Sequence, residues 1–247
     1  MTEPDAGQDA RNPYLSTKIE HEAQESLEAT AFFLEAIETD PDMWKWAVIA
    51  LHNAVQGFMV LALTHGTNWG TLRDQDIARK VQADFDHRRA LQAGDAAATE
   101  AANAIMLWSP SKLAPFLTLY ARIKNDDWPM TPYMGSVPYE PRPTDDSCMR
   151  NLNSVRNEFA HFVPLGRHFL LTQFPAMTET GLHIISFLVN ESGNIHLRRI
   201  RNSDDPDERF KVALTRAKEA LDRITAAYEG LPLPVAPLCG SPVEETA

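Results

Sequence analysis

A mainly α-helical protein, an up-and-down bundle with one short β-like segment and one long proline-rich loop, is what this 247-residue sequence predicts. Three observations lead there. Apolar residues recur at three- and four-residue intervals through most of residues 15–230. The most apolar stretch, residues 43–66, is greasy nearly all round, as the central helix of a bundle must be. No internal repeat marks a solenoid, so a single bundle is the economical architecture.

Residues 1–14 are expected to be a flexible leader, residues 15–230 the bundle domain, and residues 231–247 a proline-rich tail. Ser16 or Thr17 can cap a first helix that reaches about Thr39, with Leu27, Ala31, Leu34 and Ile37 on one face. Pro41 opens the second helix, where its missing N–H would have had no intrahelical partner anyway. Ala47, Leu51, Ala54, Phe58 and Leu61 form one apolar stripe in that helix, and Trp44, Val48, Val55 and Ala62 widen it. HGTNWG (65–70) ends it with turn residues.

Residues 71–107 are helix-prone but polar. Because QAGDAAATEAA (92–102) lacks large apolar side chains, an exposed helix or hairpin arm is expected there. A further helix over 111–124 carries Leu113, Phe116, Leu117 and Tyr120 at core spacing, with Pro115 tolerable only in its first turn. In residues 126–143, Pro129, Pro132, Pro138, Pro141 and Pro143 rule out a helix interior or a central strand. Trp128, Met130, Tyr133, Met134 and Tyr139 predict a strap packed on the bundle in preference to a ligand-binding lid.

TDDS (144–147) offers caps for the next helix, expected to halt just before Pro164. RHFLLTQF (167–174) is the β-like segment, and 175–190 resumes helical spacing through Met177, Leu182, Ile185 and Leu188. ESGNIHLRRIRN (191–202) reads as a turn followed by a basic strand-like piece. The last helix, 206–230, begins with acids and ends at glycine, as the helix dipole and a left-handed terminal residue favour.

Composition narrows the function. Hydrophobic residues at 44% and charged residues at 23% describe an ordinary soluble domain. A net charge of −11 argues against a generic, charge-driven grip on nucleic acid, so any RNA contact must be local. Cys148 and Cys239 form neither a disulfide framework nor a metal cluster, and the N-terminus lacks the apolar core of a secretory signal. Lys45, His52, Asn53 and Gln56 interrupt the apolar stretch, which therefore reads as a buried helix and not a membrane span. A cytoplasmic protein without cofactor, metal or membrane association is expected.

The informative segment is SVRNEFAHFVP (154–164). At about 100° per residue, Leu152, Val155, Phe159 and Phe162 fall within an arc of about 80°, the core face. Beside it, over about 140°, come Arg156, Ala160, Asn153, Asn157 and His161, a polar face with only small side chains between its two large ones. Such a face can meet the same face of a second copy about a two-fold axis, uniting two arginines and two histidines. An arginine fork can hold a phosphate while a histidine in the last helical turn exchanges protons with the attacking or leaving oxygen. These are the parts needed for RNA cleavage in which the 2′-hydroxyl attacks its own phosphodiester. The competing reading is structural, because helix C-termini favour basic residues in any case.

RNEFAHF resembles the signature of the HEPN superfamily (higher eukaryotes and prokaryotes nucleotide-binding): an arginine, a polar residue, and a histidine four positions further on. The matching positions are Arg156, Asn157 and His161. IALHNAVQGFMVLAL (49–63) resembles the second core helix of bacterial members, and HFVPLG with FLLTQFP resembles their post-motif segment. The resemblance implies a helical bundle, homodimerisation, and endoribonuclease activity in toxin–antitoxin or phage-defence systems, with a protein inhibitor as a further partner. Arg156 and His161 would be catalytic, and Asn157 would orient the substrate or the imidazole. The alternative is a non-catalytic HEPN-like dimer that binds a protein or nucleotide.

Asn153, on the same polar face, and Arg198, Arg199 and Arg201 in HLRRIR are candidate substrate-binding residues, although SDDPDE (203–208) would partly cancel that basic run. RKVQADFDHRRAL (79–91) reads as a solvated edge. His52 with Asn53 on the second helix could reach the polar site only across the bundle, and a lone histidine in an apolar helix is more often a hydrogen-bonded core residue, which is the reading preferred. HEAQE (21–25) lacks the second histidine of a zinc-hydrolase motif, and no glycine-rich nucleotide loop occurs.

Overall fold

The all-round apolar stretch becomes the centre of a helical bundle. The computed structural model describes residues 17–64, 69–108, 111–125, 135–161, 168–196 and 205–231. Among them lie α1 (Ile19–Ile37), α2 (Trp44–Leu63), α3 (Asp74–Ala93), α4 (Ala96–Trp108), α5 (Phe116–Ile123), α6 (Asp145–Ala160), α7 (Phe174–Asn190) and α8 (Pro206–Tyr228). Helix α2 packs against α1, α5, α6 and α7, while α8 closes on α1 and α7. Ala47, Leu51, Ala54 and Phe58 are buried, as are the widening residues Trp44, Val48, Val55 and Ala62. Pro41–Leu63 is long and apolar enough to cross a membrane, but 67% of its most apolar window is buried inside the protein, as befits a core helix.

The seam between α1 and α2 is tight because Gly57 faces Ala23: a Cβ at Gly57 would stand 2.8 Å from the Ala23 Cβ. On the other side of α1, Arg209 pairs with Glu28, Arg216 with Glu35 and Arg223 with Glu38. The rungs follow the same order along both helices, so α1 and α8 run parallel. Exposed pairs of this kind contribute little singly, because water screens them, and chiefly set register.

Helices α3 and α4 pack on each other and touch the bundle only sparsely, forming the expected hairpin arm. Gly94 ends α3 at φ 70°, a left-handed conformation that glycine adopts without a Cβ clash. The root of the arm is held by Arg122 of α5, which is buried and donates to the carbonyls of Gly70 and Leu72 at 2.8 and 2.7 Å while pairing with Asp74. Asp76 accepts from the Lys112 backbone N–H at 3.0 Å, and Leu72 bridges Leu113.

Several expectations need correction. Residues 168–174 hold no strand: 168–170 are irregular, Leu171–Gln173 form a single 3-10 turn, and Phe174 already begins α7. Phe174 packs as part of a ring cluster, stacked on Trp44 with centroids 4.8 Å apart, so the apolar run serves packing instead of sheet pairing. The apolar residues buried on α5 are Phe116, Leu119, Tyr120 and Ile123, whereas Leu117 and, ahead of the helix, Leu113 are exposed. The helix starts only after Pro115, and the i, i+3, i+4, i+7 face counted from Phe116 is the one that turns inward. Lys18, not Ser16 or Thr17, stands at the start of α1 and makes no side-chain cap; Thr144 likewise precedes α6 without one. The leader, the first half of the proline-rich loop, the HLRRIR arginines and the tail beyond Leu231 lie outside the described residues.

Candidate functional site

Helix α6 carries the motif, and its first turn is anchored by a buried carboxylate. Asp145 is fully buried and accepts from the Tyr139 hydroxyl, the Arg142 backbone N–H at 2.8 Å, the Arg142 Nε at 3.1 Å and the Thr180 hydroxyl at 3.3 Å. Burial opposes its ionisation, but the hydrogen bonds from Arg142 and Tyr139 prevail and hold its carboxyl below the usual carboxylate range. Burial and the adjoining Asp145 push the Tyr139 phenol up. Arg142 also grips Glu179 of α7 in a two-pronged pair at 2.8 and 2.9 Å. Asp146 bonds Tyr120 of α5 at 2.9 Å and Lys124, which caps the end of that helix, at 2.8 Å. Tyr139 is thus one point where the proline-rich strap packs on the bundle, beside Val137, whose N–H donates to the Ser192 carbonyl, and it helps fix α6 against α5 and α7.

Further along α6, Leu152 is buried and Val155 and Phe159 pack against the core, as the helical geometry predicts. Phe159 meets Phe169 at a centroid distance of 4.8 Å. Beside that face Asn153, Arg156 and Asn157 are all half-buried. The Arg156 Nη1–H donates to the Asn157 carboxamide oxygen at 3.0 Å, whereas Arg156 Nε is buried without a hydrogen-bond partner. The structure therefore brings Asn153, Arg156 and Asn157 together, and it ties Asn157 to the arginine instead of to an imidazole.

His161 departs from its expected place. Helix α6 ends at Ala160, and His161 follows as an extended C-cap residue at φ −104°, ψ 108°, its backbone N–H donating to the Asn157 carbonyl at 3.0 Å. The residue is exposed. It stands one residue beyond the last turn because the backbone leaves helical geometry before Pro164 rather than at it. Arg198, Arg199 and Arg201 fall outside the described residues.

The member of the group that the residue pattern did not favour comes from α2. His52, only 2% exposed, places its Nε2 3.3 Å from the Asn153 carboxamide oxygen and stacks on Phe116 with centroids 4.2 Å apart. Burial, reinforced by the neighbouring Arg156 charge, pushes the imidazole down to about 4 against the opposing pull of the Asn153 and Asn53 amides. The Asn53 amide acts on the ring without completing a hydrogen bond, and the buried Nδ1 has no partner. The sequence marks His52 as a hydrogen-bonded core histidine, which it is. Its partner, 101 positions away on the motif helix, is a product of packing that no local pattern encodes.

Among the described residues no group of three or more His, Cys, Asp and Glu side chains is arranged to hold a metal, and Cys148 is a buried free thiol. Away from α6, a groove runs along the outer α1–α2 seam between Glu22, Ser26 and Asn53, ending at Phe33 and the exposed Trp46. Comparison of the chain with protein-family models, curated proteins and solved structures finds no match to any of them.

Proposed function

We propose that the chain is a HEPN-type endoribonuclease acting as a homodimer in the cytoplasm, its bundle of the up-and-down kind, with Arg156, Asn157 and His161 as the reacting group. The observation that supports this most is the grouping on α6: Asn153, Arg156 and Asn157 lie half-buried side by side, with an exposed histidine where the helix ends. An arginine held by a neighbouring amide loses little freedom on meeting a phosphate, and its fork can offset the charge that grows there during displacement.

In the reaction proposed, the 2′-hydroxyl oxygen of RNA forms a bond to the adjacent phosphorus while the bond to the 5′-oxygen breaks. One imidazole takes the hydroxyl proton and a protonated one returns a proton to the leaving oxygen, giving a 2′,3′-cyclic phosphate and a 5′-hydroxyl. A second copy with its α6 face to face would supply His161 of the partner subunit for one of the two transfers. Nothing in that sequence of steps calls for a metal ion. RNA incubated with the protein in EDTA should yield cyclic-phosphate ends, and Arg156→Ala or His161→Ala should lower the rate by about 100-fold or more. Identical digestion by wild type and both variants would refute the proposal. A toxin of a toxin–antitoxin or phage-defence system, restrained by a protein inhibitor, is the biological role that fits such an activity.

A second reading is favoured by a separate observation. Trp46 of α2 is exposed and lines the outer groove, and the exposed Phe32 of α1 lies against the groove's Phe33 with ring centroids 5.4 Å apart. A non-catalytic HEPN-like dimer that binds a protein partner through that face, or a nucleotide at α6, would leave RNA intact in the same assay.

A further inference from the structure

The carboxamide of Asn153 is planar, with an oxygen that can only accept hydrogen bonds and an amino group that can only donate. Its oxygen faces His52 Nε2 at 3.3 Å, so the ring nitrogen must be the donor, with the proton on Nε2 and Nδ1 bare. The other ring nitrogen agrees, because Nδ1 is buried with no partner, and an unsatisfied acceptor there costs less than an unsatisfied N–H donor would. The ring cannot turn to exchange its two nitrogens freely, because it is 2% exposed and stacked on Phe116 at an interplanar angle of 22°.

With its oxygen committed to His52, the Asn153 amino group is left on the other branch of the carboxamide, on a residue that is itself only half-buried. Arg156 lies three residues on, one helical turn along the same face. We infer that His52 is a positioning residue that locks the Asn153 carboxamide with its amino group outward, so that Asn153 and Arg156 together form a donor seat for a phosphate oxygen. The inference rests on the nuclease reading only in naming phosphate as the anion. Without the His52 donor the carboxamide is free to flip, presenting an oxygen that would repel the same anion.

Two measurements on the full chain test this. Long-range nitrogen–proton correlation spectra at pH 7 should show His52 neutral and protonated on Nε2. A neutral Nδ1–H ring, or an imidazolium, overturns the inference whether or not any variant folds. The second uses a mixed-sequence oligonucleotide methylated at every 2′-oxygen, which lacks the attacking hydroxyl and so reports binding without cleavage. Asn153→Ala and His52→Phe should each weaken its binding about tenfold, the loss of one hydrogen bond to a charged oxygen. The double variant should be no weaker than either single one, because both remove the same donor. His52→Gln, which keeps a donor amide, should recover most of the affinity. Losses that multiply, a His52→Phe protein that binds as wild type does, or a wild type that binds no oligonucleotide, each overturn the seat. RNA left uncut by a protein showing this coupling would defeat the nuclease reading alone. RNA cut by a protein without the coupling would defeat the seat alone.

Discussion

Lowering the pH should destabilise this protein well before its carboxylates titrate, and His52 should account for the loss. In the folded chain the imidazole stays neutral down to about 4, whereas a histidine released by unfolding takes a proton near its ordinary value of 6.5. Between those values the unfolded state binds more protons, so stability is complete above about pH 7, falls as the pH drops through 6.5, and levels off below about pH 4. The two values convert to about 2 kcal/mol lost by pH 5 and about 3 kcal/mol by pH 4. Asp145 and Asp146, whose pKa values are depressed in the fold, contribute stability that is lost only at lower pH, which leaves the window from 6.5 to 5 clear of them. Urea unfolding of wild type and His52→Gln at half-unit steps from pH 8 to pH 5 measures the effect. The two curves should converge by about 2 kcal/mol over that range, because contributions common to both cancel. Curves that stay parallel would show that His52 is not held neutral by burial and by Arg156, and the account of the site would fall with it.

Three further outcomes follow from the packing. Gly57→Ala should cost about 1–3 kcal/mol in urea unfolding, because the new methyl group meets the Ala23 Cβ at 2.8 Å and its backbone Cα at 3.1 Å, so α1 and α2 must part; an unchanged midpoint would contradict the close approach. Asp145→Ala should cost about 3 kcal/mol or more, since it strands the Tyr139 and Thr180 hydroxyls and half of the Arg142 grip, whereas Glu179→Ala, on the exposed side of the same arginine, should cost under about 1 kcal/mol. Gly94→Ala, at φ 70°, should destabilise the arm by about 1 kcal/mol, seen as faster amide exchange in α3 and α4 with the bundle unaltered.

The helices themselves were legible in the sequence because helix formation is governed by spacing over three or four residues. The α1 stripe of Leu27, Ala31, Leu34 and Ile37 and the α7 set Met177, Leu182, Ile185 and Leu188 are all buried where periodicity placed them. Two local features were not legible, each for its own reason. RHFLLTQF is β-like by pattern because a short apolar run looks the same whether it pairs in a sheet or leads into a buried helix. Spacing places Leu117 in the core although it is exposed, because the phase of α5 depends on where Pro115 lets the helix begin. On α6 the helical wheel separated the core face from the polar face correctly, but His161 is one residue past the point where the helix ends, so wheel geometry no longer governs it.

By itself, then, the sequence determined which segments become helices, which face of each is apolar, that the alanine-rich stretch stays an exposed arm, and that Asn153, Arg156 and Asn157 share a surface. Those properties depend on neighbours a few bonds away. Only the tertiary structure decided that His52 stands against Asn153, that Tyr139 and Thr180 converge on Asp145, and that Arg122 binds the root of the arm. Each of these contacts joins a polar side chain to a partner on another element. Its strength comes from exclusion of water, a condition that exists only once the helices have packed.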